Sequence, residues 1–155
     1  MNAGEGTVSL LRRWLLALAA VTTVALGLEL AAERHWTQPI QLVAWGALAI
    51  MLVAIGLVLG KVTPARLRLA QLLAALVVLS AIWGIWEHVE SNYDAGELDQ
   101  VYTARWETLP EASRWWLAVS KTVGPSPPLA PGALAQAGAC VLLATLRHPA
   151  RRAAA

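Results

Sequence analysis

Apolar residues in this chain are gathered into blocks. Four runs, Trp14 to Leu30, Ile40 to Gly60, Leu69 to Trp86 and Leu129 to Leu146, are almost free of charge. Each approaches the roughly 20 residues an α-helix needs to cross a hydrocarbon core about 30 Å thick. Ala and Leu dominate the runs and Phe is absent, which favours helix and leaves little of the two-residue alternation a membrane β-barrel requires. The pattern predicts an all-α integral membrane protein. It is expected to be a four-helix transmembrane bundle in a single membrane domain, with spans over about residues 11–31, 39–60, 67–90 and 129–147. The first run is read as a retained span rather than a cleaved leader, because it is long for a leader core and ends in Glu29 and Glu33.

The connections carry their own signals. Pro39 stands at the first turn of the second helix, where a missing N–H is harmless. Gly56 and Gly60 form a Gly-x-x-x-Gly pair that would admit a second helix backbone. In the third run Ser80, Ala81, Gly84 and His88 recur at three- and four-residue intervals, so they share a face that a close helix neighbour should cover. Asn92 continues that face one turn on. The long connection, about 91–128, contains Thr108, Pro110 and Glu111 in a Thr-x-x-Glu start, predicting an amphipathic helix over about 109–121. Ala112, Trp115, Trp116, Val119 and Val123 would form its apolar stripe, with Glu111, Arg114 and Lys121 opposite, the pattern of a helix resting on a membrane surface or a bundle. Gly124 and Pro125 should end it, and Gly-Pro-Ser-Pro-Pro should follow as a stiff linker. Trp14 marks one membrane boundary; Trp36, Trp83, Trp86, Trp115 and Trp116 mark the other.

Charge orients this layout. Arg12, Arg13, Lys61, Arg66, Arg68, Arg147, Arg151 and Arg152 fall on one side of the four-span arrangement with Glu5 as the only acid. Basic residues collect on cytoplasmic loops, so both termini are expected in the cytoplasm of a bacterial inner membrane. The opposite side holds nine acids against Arg34, Arg105, Arg114 and Lys121. The net charge of +2 therefore conceals a separation of sign, and basic residues at span ends speak for lipid contact and not for nucleic acid. Hydrophobic residues make up 57% of the chain and charged residues only 14%, too apolar for an ordinary soluble domain. The single cysteine, Cys140, excludes an internal disulfide or a paired-thiol redox centre and reads as a small packing residue.

Candidate chemistry lies at the acidic end. Glu29 stands roughly 24 Å above Arg13 along a helix, at the edge of the hydrocarbon, where a carboxylate must be protonated, paired or hydrated. Thr22 and Ala25 share its face, so Glu29 is expected to point at a neighbouring helix. Glu33, His35, Glu87, His88 and Glu90 fall at the same level, and carboxylate with imidazole suits a divalent cation, with Glu29, Glu33 and His88 the candidate ligands. A solvated acidic rim accounts for the same residues without a ligand. The Glu-x-x-His pairs of di-iron bundles are missing, and no cofactor motif is present, so no other cofactor is expected. Gln136 should bond a neighbouring helix.

The stretches His-Val-Glu-Ser-Asn-Tyr-Asp at 88–94, Pro-Leu-Ala-Pro-Gly at 128–132 and Arg-His-Pro at 147–149 resemble an uncharacterised group of small bacterial four-span inner-membrane proteins. The resemblance covers the second half of the chain. It implies the same fold and supplies no activity, so His88, Asn92, Pro131 and Gly132 carry over as pattern positions without roles. The expected function is a non-enzymatic accessory or interaction subunit whose acidic outer face engages a membrane-protein partner or a second copy. The alternative is a small transporter or cation-binding protein using Glu29 and His88.

Overall fold

A computed structural model describes residues 3–150; Arg151 and Arg152, two of the basic residues used for orientation, lie outside them. Among the described residues the chain is all-helical, with five α-helices, three short 3₁₀ turns and no strand. The helices are α1 (Ala3–Ala32), α2 (Leu42–Leu59), α3 (Pro64–Ala95), α4 (Glu111–Val119) and α5 (Ala130–Thr145). Three stretches, Gly4–Ala32, Pro39–Leu59 and Pro64–Leu98, are long and apolar enough to cross a membrane. The chain is thus a helical membrane protein. The run expected as a fourth span is shorter: α5 has 16 residues, about 24 Å of helix. It stops because Leu146 and Arg147 leave the helix, Arg147 in a left-handed conformation with φ of 48°.

The chain divides into two compact units, one built from residues up to Ala81 together with those from Ala133 onward, the other from Ile82–Gly132. The first unit is cored by small and branched apolar side chains from four helices. Leu16 and Ala19 of α1, Met51, Ala54 and Ile55 of α2, Ala74 and Val77 of α3, and Ala137, Cys140 and Val141 of α5 are all buried in one cluster. Cys140 is therefore a packing residue, as its sequence setting suggests. Alanine at so many of these positions lets helix backbones approach closely where lipid offers no hydrophobic drive for association. The closest approach is at Gly138, where a Cβ would stand 2.7 Å from Val78 Cγ2 and 3.0 Å from the Ala74 carbonyl oxygen. The Gly-x-x-x-Gly pair does not serve this purpose within the chain. A Cβ on Gly56 would meet nothing within 4 Å, and Gly60 lies under the Arg66 guanidinium. Arg66 donates to the carbonyls of Lys61 and Gly56, closing the carboxyl end of α2.

Outward positions of this unit are apolar as well: Val21, Leu28, Leu52, Leu72 and Leu79 are all more than half exposed. Such an exterior suits hydrocarbon and not water. Polar groups inside it are satisfied locally. Thr23 donates to the Ala19 carbonyl, and Gln71 Nε2 donates to Thr145 Oγ1 across α3 and α5 at 3.1 Å. Gln136, expected in that interhelical role, instead faces outward. The two glutamines differ by which face of their helix they occupy, and only Gln71 lies on the packed one. Arg12 reaches from α1 to the end of α5 and donates to the carbonyls of Ala144, Leu146 and Arg147. Beside it, burial and then the Arg12 charge hold the His148 imidazole below its ordinary pKa.

Candidate functional site

The unit Ile82–Gly132 holds most of the polar residues that the sequence singles out. Thr63 and Pro64 start α3: the Thr63 hydroxyl accepts from the Arg66 N–H, and Pro64 needs no partner for an absent N–H. The helix then continues without a break to Ala95, about 48 Å. Its face bearing Gly84, His88 and Asn92 is covered, but by the Pro-rich segment and not by the neighbouring helix that the small-residue spacing predicts. A Cβ on Gly84 would stand 3.2 Å from Pro131 Cβ. His88 Nδ1 lies 2.8 Å from the Pro127 carbonyl oxygen. A carbonyl only accepts, so the ring carries its proton on Nδ1.

Asn92 is fully buried one turn further. Its Nδ2 donates to the carbonyls of Ser126 (2.7 Å) and Ala118 (3.1 Å), while its Oδ1 accepts from the Ser126 N–H at 2.8 Å. Both amide hydrogens are used. Gly124, at φ of 76°, lies against Asn92 so closely that a Cβ would overlap Oδ1 and the Asn92 backbone. Three successive turns of α3 thus grip Ser126, Pro127 and Pro131 in antiparallel order.

Beside this grip the unit has an aromatic core. Trp106 is buried, with Gly96 directly beneath its ring, and Tyr93 meets it edge-on at 5.5 Å. Tyr93 also stacks on Trp115 at 4.3 Å, and Trp115 stacks on Trp86 at 5.4 Å. Trp115 is therefore a packing residue of this unit. Trp106 carried no signal of its own in the sequence, because it lies in a polar stretch with no periodicity.

The helix in the long connection forms, but shorter and rotated from expectation. It begins at Glu111, and Thr108 does not cap it; the Thr108 hydroxyl donates back to the Arg105 carbonyl within the turn Thr103–Thr108. It ends at Val119, before Gly124 and Pro125. There Thr122 N–H bonds the Leu117 carbonyl and Lys121 N–H bonds that of Ala118, with Lys121 left-handed at φ of 55°. The expected stripe splits: Trp115 and Val123 pack inward, joined by Ala118, while Ala112, Trp116 and Val119 stay exposed. Arg114, expected on the polar face, is only 21% exposed, 5.6 Å over the Tyr93 ring and 3.8 Å from Glu107. Its Nε is buried without a hydrogen-bond partner among the described residues.

Most of the remaining predicted site residues are exposed. Glu29 and Glu33 are exposed on the first unit, and the packed face of α1 is that of Leu16, Ala19 and Thr23, not that of Thr22 and Ala25. Glu29 therefore points outward, not at a neighbouring helix. His35 contributes its carbonyl, which accepts from Trp45 Nε1 at 2.7 Å. Glu87 is partly buried and Glu90 exposed. Among the described residues no three His, Cys, Asp or Glu side chains are arranged to hold a metal ion. The chain matches no protein-family model, no curated protein and no solved structure.

Proposed function

We propose that this protein is a non-enzymatic accessory or interaction subunit of a bacterial cytoplasmic membrane. In this reading α5 completes four spans, both termini are cytoplasmic, and the unit Ile82–Gly132 is extracytoplasmic, with α4 at the bilayer surface. The orientation rests on the basic residues gathered at one set of span ends. The interaction role rests on one observation: the polar side chains that would otherwise be candidates for chemistry, His88 and Asn92, are occupied in fixing the unit's own linker. What the unit then offers outward is a preset acidic surface. It carries seven acids against three bases, and Glu107 with Arg114 is its one ion pair among the described residues. Such a surface suits a basic patch on a membrane-protein partner.

A photoreactive amino acid at Glu97, compared with one at the outward-facing Leu52, tests this in cells. A discrete heavier adduct is expected from position 97 only, weakened by Glu90→Lys together with Asp94→Lys. No adduct, combined with cation flux in liposomes that is lost in Glu29→Gln and His88→Ala, would instead establish the transporter reading.

A further inference from the structure

We infer that the hollow between the Thr103–Thr108 turn and α4 binds the phosphodiester end of an anionic phospholipid. The inference rests on the surface placement of α4 proposed above. The hollow is a shallow depression of about 360 Å³, largely open to the surface. One wall is cationic. The Arg105 guanidinium lies 4.6 Å over the Tyr102 ring and makes no ion pair among the described residues, leaving its N–H donors for a ligand. The other wall is apolar, formed by Leu109, Ala112 and Trp116, with Ser113 between. Trp116 is 69% exposed, on the side of α4 away from the aromatic core.

One cation beside an apolar wall selects a ligand with one phosphate and attached hydrocarbon. Soluble polyanions are disfavoured, because the unit's excess of acids repels multiply charged solutes. A lipid phosphate escapes that selection. The bilayer presents it at high local concentration, and its chain can lie along Trp116 while only the headgroup and first methylenes enter the hollow. The depth is right for this, since the Trp86–Trp115 stack holds α4 beside the turn of α3 where the apolar run gives way to Glu87.

The test uses the full chain in nanodiscs of phosphatidylcholine with about one-fifth phosphatidylglycerol, doped with a photoreactive analogue of either lipid. The phosphatidylglycerol probe should label residues 102–117 in preference to the phosphatidylcholine probe. Arg105→Gln should cut that labelling about fivefold, the upper scale of one solvent-exposed charge pair. Arg105→Lys should retain part of it, and Lys121→Gln, outside the hollow, should leave it unchanged. Equal labelling by both probes, or labelling indifferent to Arg105→Gln, overturns the inference. Loss of labelling in millimolar glycerol phosphate would assign the site to a soluble phosphoester and overturn the lipid source. A nitroxide at Val119→Cys, in a Cys140→Ala background, checks the placement separately. A headgroup-depth signal with no Arg105 effect sinks the site alone, and a fully aqueous signal sinks the placement.

Discussion

Asn92 has no spare hydrogen-bonding hydrogen: it bonds the Ala118 carbonyl at the end of α4 and both backbone groups of Ser126, in chain that has no regular structure to satisfy them. Ser126 gives and receives a bond with the same amide, an arrangement that only a side chain with donor and acceptor side by side can complete. Asn92→Leu keeps the branched outline but strands the Ser126 N–H and carbonyl, so the unit Ile82–Gly132 should lose about 2–4 kcal/mol. Asn92→Asp should be no better, since a carboxylate would face the carbonyls of Ala118 and Ser126. Hydrogen exchange at the Ser126 amide, or proteolysis within 120–129, reads this directly; protection equal to the parent's would show that the linker is held by other contacts. The importance of Asn92 was half legible in the sequence. Its spacing from Gly84 and His88 marks one helix face, but the partner is a Pro-rich segment with no periodicity to announce where it docks.

At the scale of elements, long apolar runs located α1, α2 and α3 because hydrophobic length is a strong signal. Helix ends were less readable. Glycine is the usual residue just past a helix, yet here Arg34, Lys121 and Arg147 take the left-handed position, so the usual punctuation is missing. A cation there meets the negative end of the helix dipole, which offsets part of the cost of the conformation. The glycine that matters for packing was also not the one with a motif. Gly138→Leu should force α3 and α5 apart and cost about 1–3 kcal/mol in reversible unfolding in micelles, whereas Gly56→Leu should cost under about 0.5 kcal/mol. Equal losses from the two would mean that Gly56 meets a neighbour outside this chain.

For the molecule as a whole, the separation of charge is the feature most open to experiment. A cysteine at Asp94, in a Cys140→Ala background, should react with a membrane-impermeant maleimide added to intact cells. One at Arg68 should react only after lysis, and the reverse pattern would invert the proposed topology. The lengths of α3 and α5 carry a different consequence. In the proposed four-span arrangement the 16 residues of α5 would fall about 6 Å short of an ordinary hydrocarbon core, while the length of α3 exceeds it by about 18 Å. Lipid next to α5 would then have to compress while lipid next to α3 would not. The protein would sit in a lopsided annulus, thin on one flank, and thinner bilayers would relieve that strain. Membrane thickness itself would then help decide where the chain settles and which flank a neighbour approaches.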